Sequence, residues 1–198
     1  MRINIKSFKC YNVIDTCSIW HLLSSERLYG MAKTNGCYFS CTKYVLYECL
    51  HKPRSSFKEE ERRLIEKFNK ELDKFYSPSF SISIDDLQSI MNLEQRKSLS
   101  KGELSSIVFA KKIGQAFITD DQRARKLAES YLEPEYTQTI PHLFGWLSYI
   151  QKILDNDKAI IIQEHEYNGG TLTKFFDEVF NKARELILME NHASPKNA

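Results

Sequence analysis

No stretch of the chain approaches the roughly 20 consecutive apolar residues needed to cross a bilayer. The opening residues, MRINIKSFKC, lack the continuous apolar centre of a secretory leader. Both absences predict a cytoplasmic protein with no membrane partner. No CxxC pair occurs, and Cys37-x-x-x-Cys41 has no second pair at a suitable distance, so no zinc-finger framework is present. The five cysteines (Cys10, Cys17, Cys37, Cys41 and Cys49) are odd in number and confined to the first quarter of the chain. That distribution fits reduced, partly buried thiols better than a disulfide scaffold. Also missing are a Gly-rich phosphate loop, a GxSxG elbow and a Cys-His pair with an orienting group, which sets aside the common nucleotide-binding and acyl-transfer chemistries. A net charge of +2 carries no polybasic signature and neither requires nor forbids a nucleic-acid partner.

What is present is the balance of a folded domain: 198 residues, 42% hydrophobic and 27% charged, without internal repeats. Tyr11-Asn-Val-Ile-Asp15 reads as a buried strand ending in a carboxylate, with a helix following from Ser18 and Thr16 or Ser18 as its N-cap. Asn35-Gly36 marks a turn before a second strand over 37–40. A helix from Thr42 stops before Pro53, and Leu64, Ile65, Phe68, Leu72 and Phe75 make residues 56–76 an amphipathic helix with a charged, solvated face. Residues 79–84 read as a strand and Asp85-Asp86 as the cap of a short helix. Residues 102–113 form a helix ended by Gly114, and Ala116-Phe-Ile-Thr119 is a buried strand running into Asp120-Asp121 and another helix. Beyond Pro134 the pattern weakens to a strand over 136–140, a helix over 141–154 and a last amphipathic helix from about 171 to 190, with a frayed tail from His192. Strands alternating with helices predict an α/β fold: a parallel sheet of four or five strands, covered on both faces, with a helical C-terminal extension.

Function in such sheets gathers at the carboxyl ends of the strands. Two segments deliver carboxylates there independently, Val13-Ile-Asp15 and Phe117-Ile-Thr-Asp120-Asp121. Glu48 lies in the otherwise apolar Val45-Leu-Tyr-Glu48-Cys-Leu50, and Glu103 opens an apolar helix. Singly, the strand-end aspartates read equally as helix caps, Glu103 reads as a favourable first-turn acid, and Glu48 as a partly buried, neutralised or ion-paired side chain. Together they would repel unless cations neutralise them, and hard oxygen ligands favour Mg²⁺ or Mn²⁺. Such a site serves hydrolysis of a phosphodiester.

The order Ile14-Asp15-Thr16, then Val45-Leu-Tyr-Glu48-Cys-Leu, then Gly102-Glu103-Leu-Ser-Ser-Ile-Val-Phe-Ala110, then Ile118-Thr119-Asp120-Asp121-Gln-Arg-Ala-Arg125-Lys-Leu-Ala128 resembles the PIN-domain nuclease family, which includes the VapC-type toxin ribonucleases. The resemblance spans roughly residues 9–150. It implies a PIN-like domain over 1–155 with an inserted helix at about 55–77, and an extension over 156–198. It implies Asp15, Glu48, Glu103 and Asp120 as catalytic, metal-holding acids, Asp121 as an accessory ligand, and Thr119 as the small hydroxyl residue before the aspartate pair. Mg²⁺ or Mn²⁺ would be the cofactor, RNA the substrate, and the activity that of an endoribonuclease in toxin or defence roles. Cys17 departs from the pattern, since many VapC-type members carry Asn two residues after the first Asp. The insertion and tail also exceed an ordinary toxin, and leave open a homodimer face and an antitoxin or other protein partner.

Thr119, Lys101, Arg123 and Arg125 are candidates for substrate contact, with Lys52 and Arg54, although Arg125 also stands at pairing distance from Glu129 on a helix. Tyr44, Tyr47 and Trp20 read as packing residues, His165 as surface-exposed, and His142 has no assigned role. The alternative to a nuclease is a catalytically inactive PIN-like module that binds RNA or protein. Asp15-Thr16-Cys17 lacks the Asp-x-Asp of a haloacid-dehalogenase-like phosphatase.

Overall fold

The alternation of apolar runs with helical stretches resolves into a four-stranded, all-parallel sheet in the computed structural model, which describes residues 4–53, 58–76, 83, 85, 86, 88, 89, 92 and 99–193. Strands β1 (Tyr11–Ile14), β2 (Tyr38–Ser40), β3 (Ala116–Ile118) and β4 (Thr137–Gln138) lie in the order β2-β1-β3-β4. Register is fixed by Tyr11↔Tyr38 on one side of β1, by Ile14↔Ile118 on the other, and by Ile118↔Gln138 beyond. Val13, Ile14, Phe117 and Ile118 are all fully buried. That is the continuous apolar strand expected when helices cover both faces. The strand read over 79–84 lies outside the described residues, apart from Ser83.

After β1 come α1 (Thr16–Leu23) and α2 (Glu26–Thr34); α3 (Lys43–Leu50), α4 (Glu59–Lys70) and α5 (Leu72–Phe75) follow β2. The helix over 56–76 is thus two helices, breaking at Glu71, and both press into the core through Leu64, Phe68 and Phe75. α6 (Lys101–Ile113) precedes β3, α7 (Gln122–Tyr131) follows it, and α8 (Ile140–Tyr149) follows β4. Among the described residues no helix is long and apolar enough to cross a membrane. All five cysteines are free; Cys37, Cys41 and Cys49 are buried and Cys17 is exposed.

Two helices close the chain, α9 (Asp155–Tyr167) and α10 (Thr173–Ala193), so the last helix runs past His192. They belong to the main core. Phe144 of α8 stacks on Phe176 of α10 with centroids 4.7 Å apart, and Ile5, Phe144, Ile161, Phe176 and Ala183 share one buried cluster. Such a ring pair adds about 0.5–1.5 kcal/mol beyond its burial. Gly145 sits flush against this layer, where a Cβ would come within 2.7 Å of Ile5.

His165 corrects the sequence reading: it is fully buried. The Leu172 N–H donates to its Nε2 at 3.0 Å, and Nδ1 lies 2.5 Å from Ser24 Oγ. The Ser24 hydroxyl already donates to the His21 carbonyl at 2.7 Å. The ring is therefore the neutral Nδ1–H tautomer, donating to Ser24, assigned from its partners. Gly170 packs so tightly on the ring that any Cβ there would overlap it.

Burial holds the His165 imidazole down to about 4, from an ordinary 6.5, with His21 adding a little. An unfolded chain takes up that proton first, so the contribution of the neutral ring is full above 6.5 and is lost as pH falls towards 4. Urea unfolding of wild type and His165→Gln should show it. The stability advantage of wild type is expected to shrink steadily between those two pH values, and an advantage independent of pH would refute the assignment.

Candidate acidic site at the carboxyl edge of the sheet

Asp15 follows β1 directly, and its N–H continues the ladder to the Ile118 carbonyl at 3.3 Å. Its carboxylate caps α1: Oδ1 accepts the Ser18 N–H at 2.8 Å. The capping residue is thus the strand's own terminal acid rather than Thr16 or Ser18. Asp15 is 1% exposed, and its Oδ2 has no hydrogen-bond partner among the described residues. An unpaired buried carboxylate oxygen is costly. Burial accordingly raises this group from 3.8 to about 7; the nearby Thr119 hydroxyl and the Ser18 N–H oppose the rise, and the Asp120 charge adds to it.

Asp120 arrives from β3, the neighbouring strand. The Ser18 hydroxyl donates to its Oδ2 at 2.9 Å, and Oδ1 accepts the Ile140 N–H at 3.1 Å in the first turn of α8. Burial raises this carboxyl too, against the opposing charges of His21 and Arg125. Asp121 caps α7, its Oδ1 accepting the Arg123 and Ala124 N–H groups at 2.7 and 2.9 Å. Thr119 is fully buried and accepts the Asp121 N–H at 3.2 Å, so its hydroxyl shapes the turn.

The two helical glutamates meet at the start of α6. Glu48 Oε1 accepts the Gly102 N–H at 3.2 Å, and its Oε2 accepts the Thr16 hydroxyl at 2.7 Å. Gly102 is small for this reason, since a Cβ would overlap the Glu48 carboxylate. Glu103 forms a capping box with Ser100, its Oε2 accepting the Ser100 N–H at 2.7 Å. Burial raises Glu103, and the charges of Asp121 and Glu48 raise it further.

The charges of the predicted acids act on one another in two sets: the Asp120 charge acts on Asp15, while Glu103 feels both Asp121 and Glu48. Cys17 faces four of them: partial desolvation and then Asp15, Asp120, Asp121 and Glu103 push its thiol up to about 12. Among the described residues no three His, Cys, Asp or Glu side chains stand close enough to enclose a metal ion as they are. The donor set nevertheless fits a hard divalent cation, being all carboxylate, mutually repelling, and provided at Asp15 Oδ2 with an oxygen that has no other partner.

Of the basic candidates, Lys101 and Arg123 are exposed beside the cluster; Arg123 Nε lies 3.9 Å from Asp121 Oδ1. Arg125 makes no ion pair with Glu129, and its charge is felt at Asp120 instead. Lys52 is exposed and Arg54 lies outside the described residues. Asp86, of the 85–86 pair, is paired with Lys112 at 2.7 Å. Tyr47 departs from its expected packing role, being 51% exposed. Ser18 is the residue that sequence reasoning underrated: it joins the two strand-end acids, and its only signal was its place three residues after Asp15. Comparison with protein-family models, curated proteins and solved structures finds no match for the chain.

Two consequences are measurable. Because the Asp15 carboxyl is raised from 3.8 to about 7, its contribution to stability is lost as pH rises across that interval. Asp15→Asn should remove this component, so thermal melts on either side of neutrality should differ less in the variant than in wild type. Gly102→Ala should push Glu48 off the α6 N-terminus at a cost of about 1–3 kcal/mol in urea unfolding. Gly30→Ala in α2, where a Cβ meets open space, is the control and should be neutral or mildly stabilising.

Proposed function

We propose that the chain is a metal-dependent endoribonuclease with a PIN-like fold, acting at the acidic cluster on the carboxyl edge of the sheet. The observation that carries this reading is the Asp15 carboxylate: 1% exposed, at the end of a central strand, with one oxygen unpartnered among the described residues and the charge of Asp120, from the neighbouring strand end, acting on it. Asp15 and Asp120 are the residues that would hold Mg²⁺ or Mn²⁺, with Glu48, Glu103 and Asp121 completing the set. When bound, the ion offsets charge building on a phosphate and lowers the pKa of water. The chain's own residues do the positioning. Ser18 holds Asp120 and the α1 N-terminus in one frame, Thr16 and Gly102 orient Glu48, and Lys101, Arg123 and Arg125 supply positive charge towards an RNA backbone.

One observation favours the second reading, an inactive module that binds RNA or protein. All five acids are already engaged by backbone N–H groups at helix starts, and these ends carry partial positive charge of their own. That neutralisation requires no cation. Cleavage of a labelled single-stranded RNA with Mn²⁺ or Mg²⁺, alongside calorimetric titration of the metal, separates the two readings. Cleavage that chelation stops, and that Asp15→Asn and Asp120→Asn each reduce by at least about 100-fold, is the expected result. RNA retained without cleavage, together with no metal uptake, would leave the binding module.

A further inference from the structure

The five thiols are free, and two of them stand side by side where the sheet begins. Cys10 immediately precedes β1 and Cys37 immediately precedes β2. The two strands are parallel and in register at Tyr11↔Tyr38, and the Tyr38 N–H donates to the Cys10 carbonyl at 2.7 Å, so the pairing reaches back to the cysteines. Tyr11 and Tyr38 are exposed on one face, their rings stacked with centroids 5.1 Å apart. Side chains alternate along a strand, so Cys10 and Cys37, one step back, share the opposite face. Burial agrees with this: Cys37 is part of the main apolar cluster, and Cys10 packs against it. Paired positions on neighbouring strands sit about 4.8 Å apart, inside the roughly 4.4–6.8 Å between Cα atoms that a disulfide spans.

The two thiols differ in access. Cys37 is 2% exposed, whereas Cys10 is half-buried, its Sγ 4.0 Å from the Phe8 carbonyl. Burial pushes the Cys37 thiol up, and Cys10 adds to the rise through charge and a side-chain hydrogen bond, so each thiol is within the other's reach. Cys41, by contrast, is raised by burial alone. A protonated, enclosed Cys37 is inert to dissolved oxidants, and Cys10 is the sulfur through which one can enter.

We propose that Cys10 and Cys37 are an oxidisable pair, closing to a reversible disulfide that staples β1 to β2 at the amino edge of the sheet. With a small disulfide such as oxidised glutathione as the oxidant, the chemistry runs in two exchanges. The Cys10 thiolate attacks one glutathione sulfur; a new S–S bond forms, the glutathione S–S bond breaks, and the released thiolate takes up a proton. Cys37 then gives up its proton and attacks the Cys10 sulfur, expelling the second glutathione as thiol. The two cysteines lose two electrons and two protons, and one glutathione disulfide becomes two thiols. The staple lies at the opposite end of β1 from Asp15, so it leaves the acidic edge open. In the unfolded chain it closes the loop over 10–37, which favours the folded state.

The full chain is incubated with excess oxidised glutathione, alkylated, and cut with trypsin and chymotrypsin for mass spectrometry. Cleavage after Tyr11 and Tyr38 separates Cys10 from Cys17 and Cys37 from Cys41. A fragment linking Cys10 to Cys37, released by dithiothreitol, is expected, and the linked chain should melt at least about 4 °C above the reduced one. Cys37→Ala should stop at a glutathione adduct on Cys10, and Cys10→Ala should leave Cys37 unmodified. The proposal is overturned if wild type forms no such link, if Cys37 is oxidised in the absence of Cys10, or if the linked chain melts at or below the reduced one. The wild-type map stands whether or not either variant folds, and none of these outcomes depends on RNA cleavage.

Discussion

Carboxylates repel one another, and gathering five of them at one edge of a sheet demands a source of positive potential. In this protein the source is geometric. The first turns of α1, α6, α7 and α8 all begin at the carboxyl edge, and each delivers a backbone N–H to one of the acids: Ser18 to Asp15, Gly102 to Glu48, Arg123 to Asp121 and Ile140 to Asp120. The partial charge at each helix start offsets part of the repulsion. The parallel topology is what makes this convergence possible, since every strand ends, and the next helix starts, on the same side. The site and the fold are therefore one construction. Moving any of these acids means uncapping a helix.

Much of this was legible in the residue order, for a physical reason. Buried strands of a parallel sheet must be apolar throughout, so Val13-Ile14 and Phe117-Ile118 stand out, and the acids after them mark the strand ends. Glu48 and Glu103 were legible as charges out of place on apolar helices. What could not be read was which hydrogen bond each acid makes. That depends on contacts between segments distant in sequence, such as Glu48 with Gly102 and Ser18 with Asp120.

The other misreadings share a cause. α9 carries no apolar stripe: its buried face is Asp157, Ile161 and His165, two of them polar, and Ile160-Ile161-Ile162 runs around the helix rather than along it. Periodicity detects a helix by its greasy face, and this one turns polar groups inward. Asp157 is matched by Arg27 of α2, Nε at 2.9 Å, and Glu164 by the Ser25 hydroxyl at 2.6 Å. His165 was misjudged for the same reason, because its partners, Ser24 and the Leu172 N–H, lie on other segments. In α4 and α5 the apolar stripe was legible, and Phe68 and Phe75 on it belong to the central cluster; only the break at Glu71 was not read.

The order in which the chain leaves the ribosome has a bearing on its fate. β1 is made first, yet its partner β3 is about a hundred residues away, at Ala116–Ile118. The layer that covers Ile5 and Phe144 is completed only by Phe176 and Ala183 of the last helix. β2 covers one edge of β1 early, but the edge that takes β3 stays open until Ala116–Ile118 is made, and contacts this distant in sequence are slow to form. Loss of the final helix would leave Ile5 and Phe144 without their cover, so a nascent chain that stalls before it presents that apolar layer to chaperones and proteases.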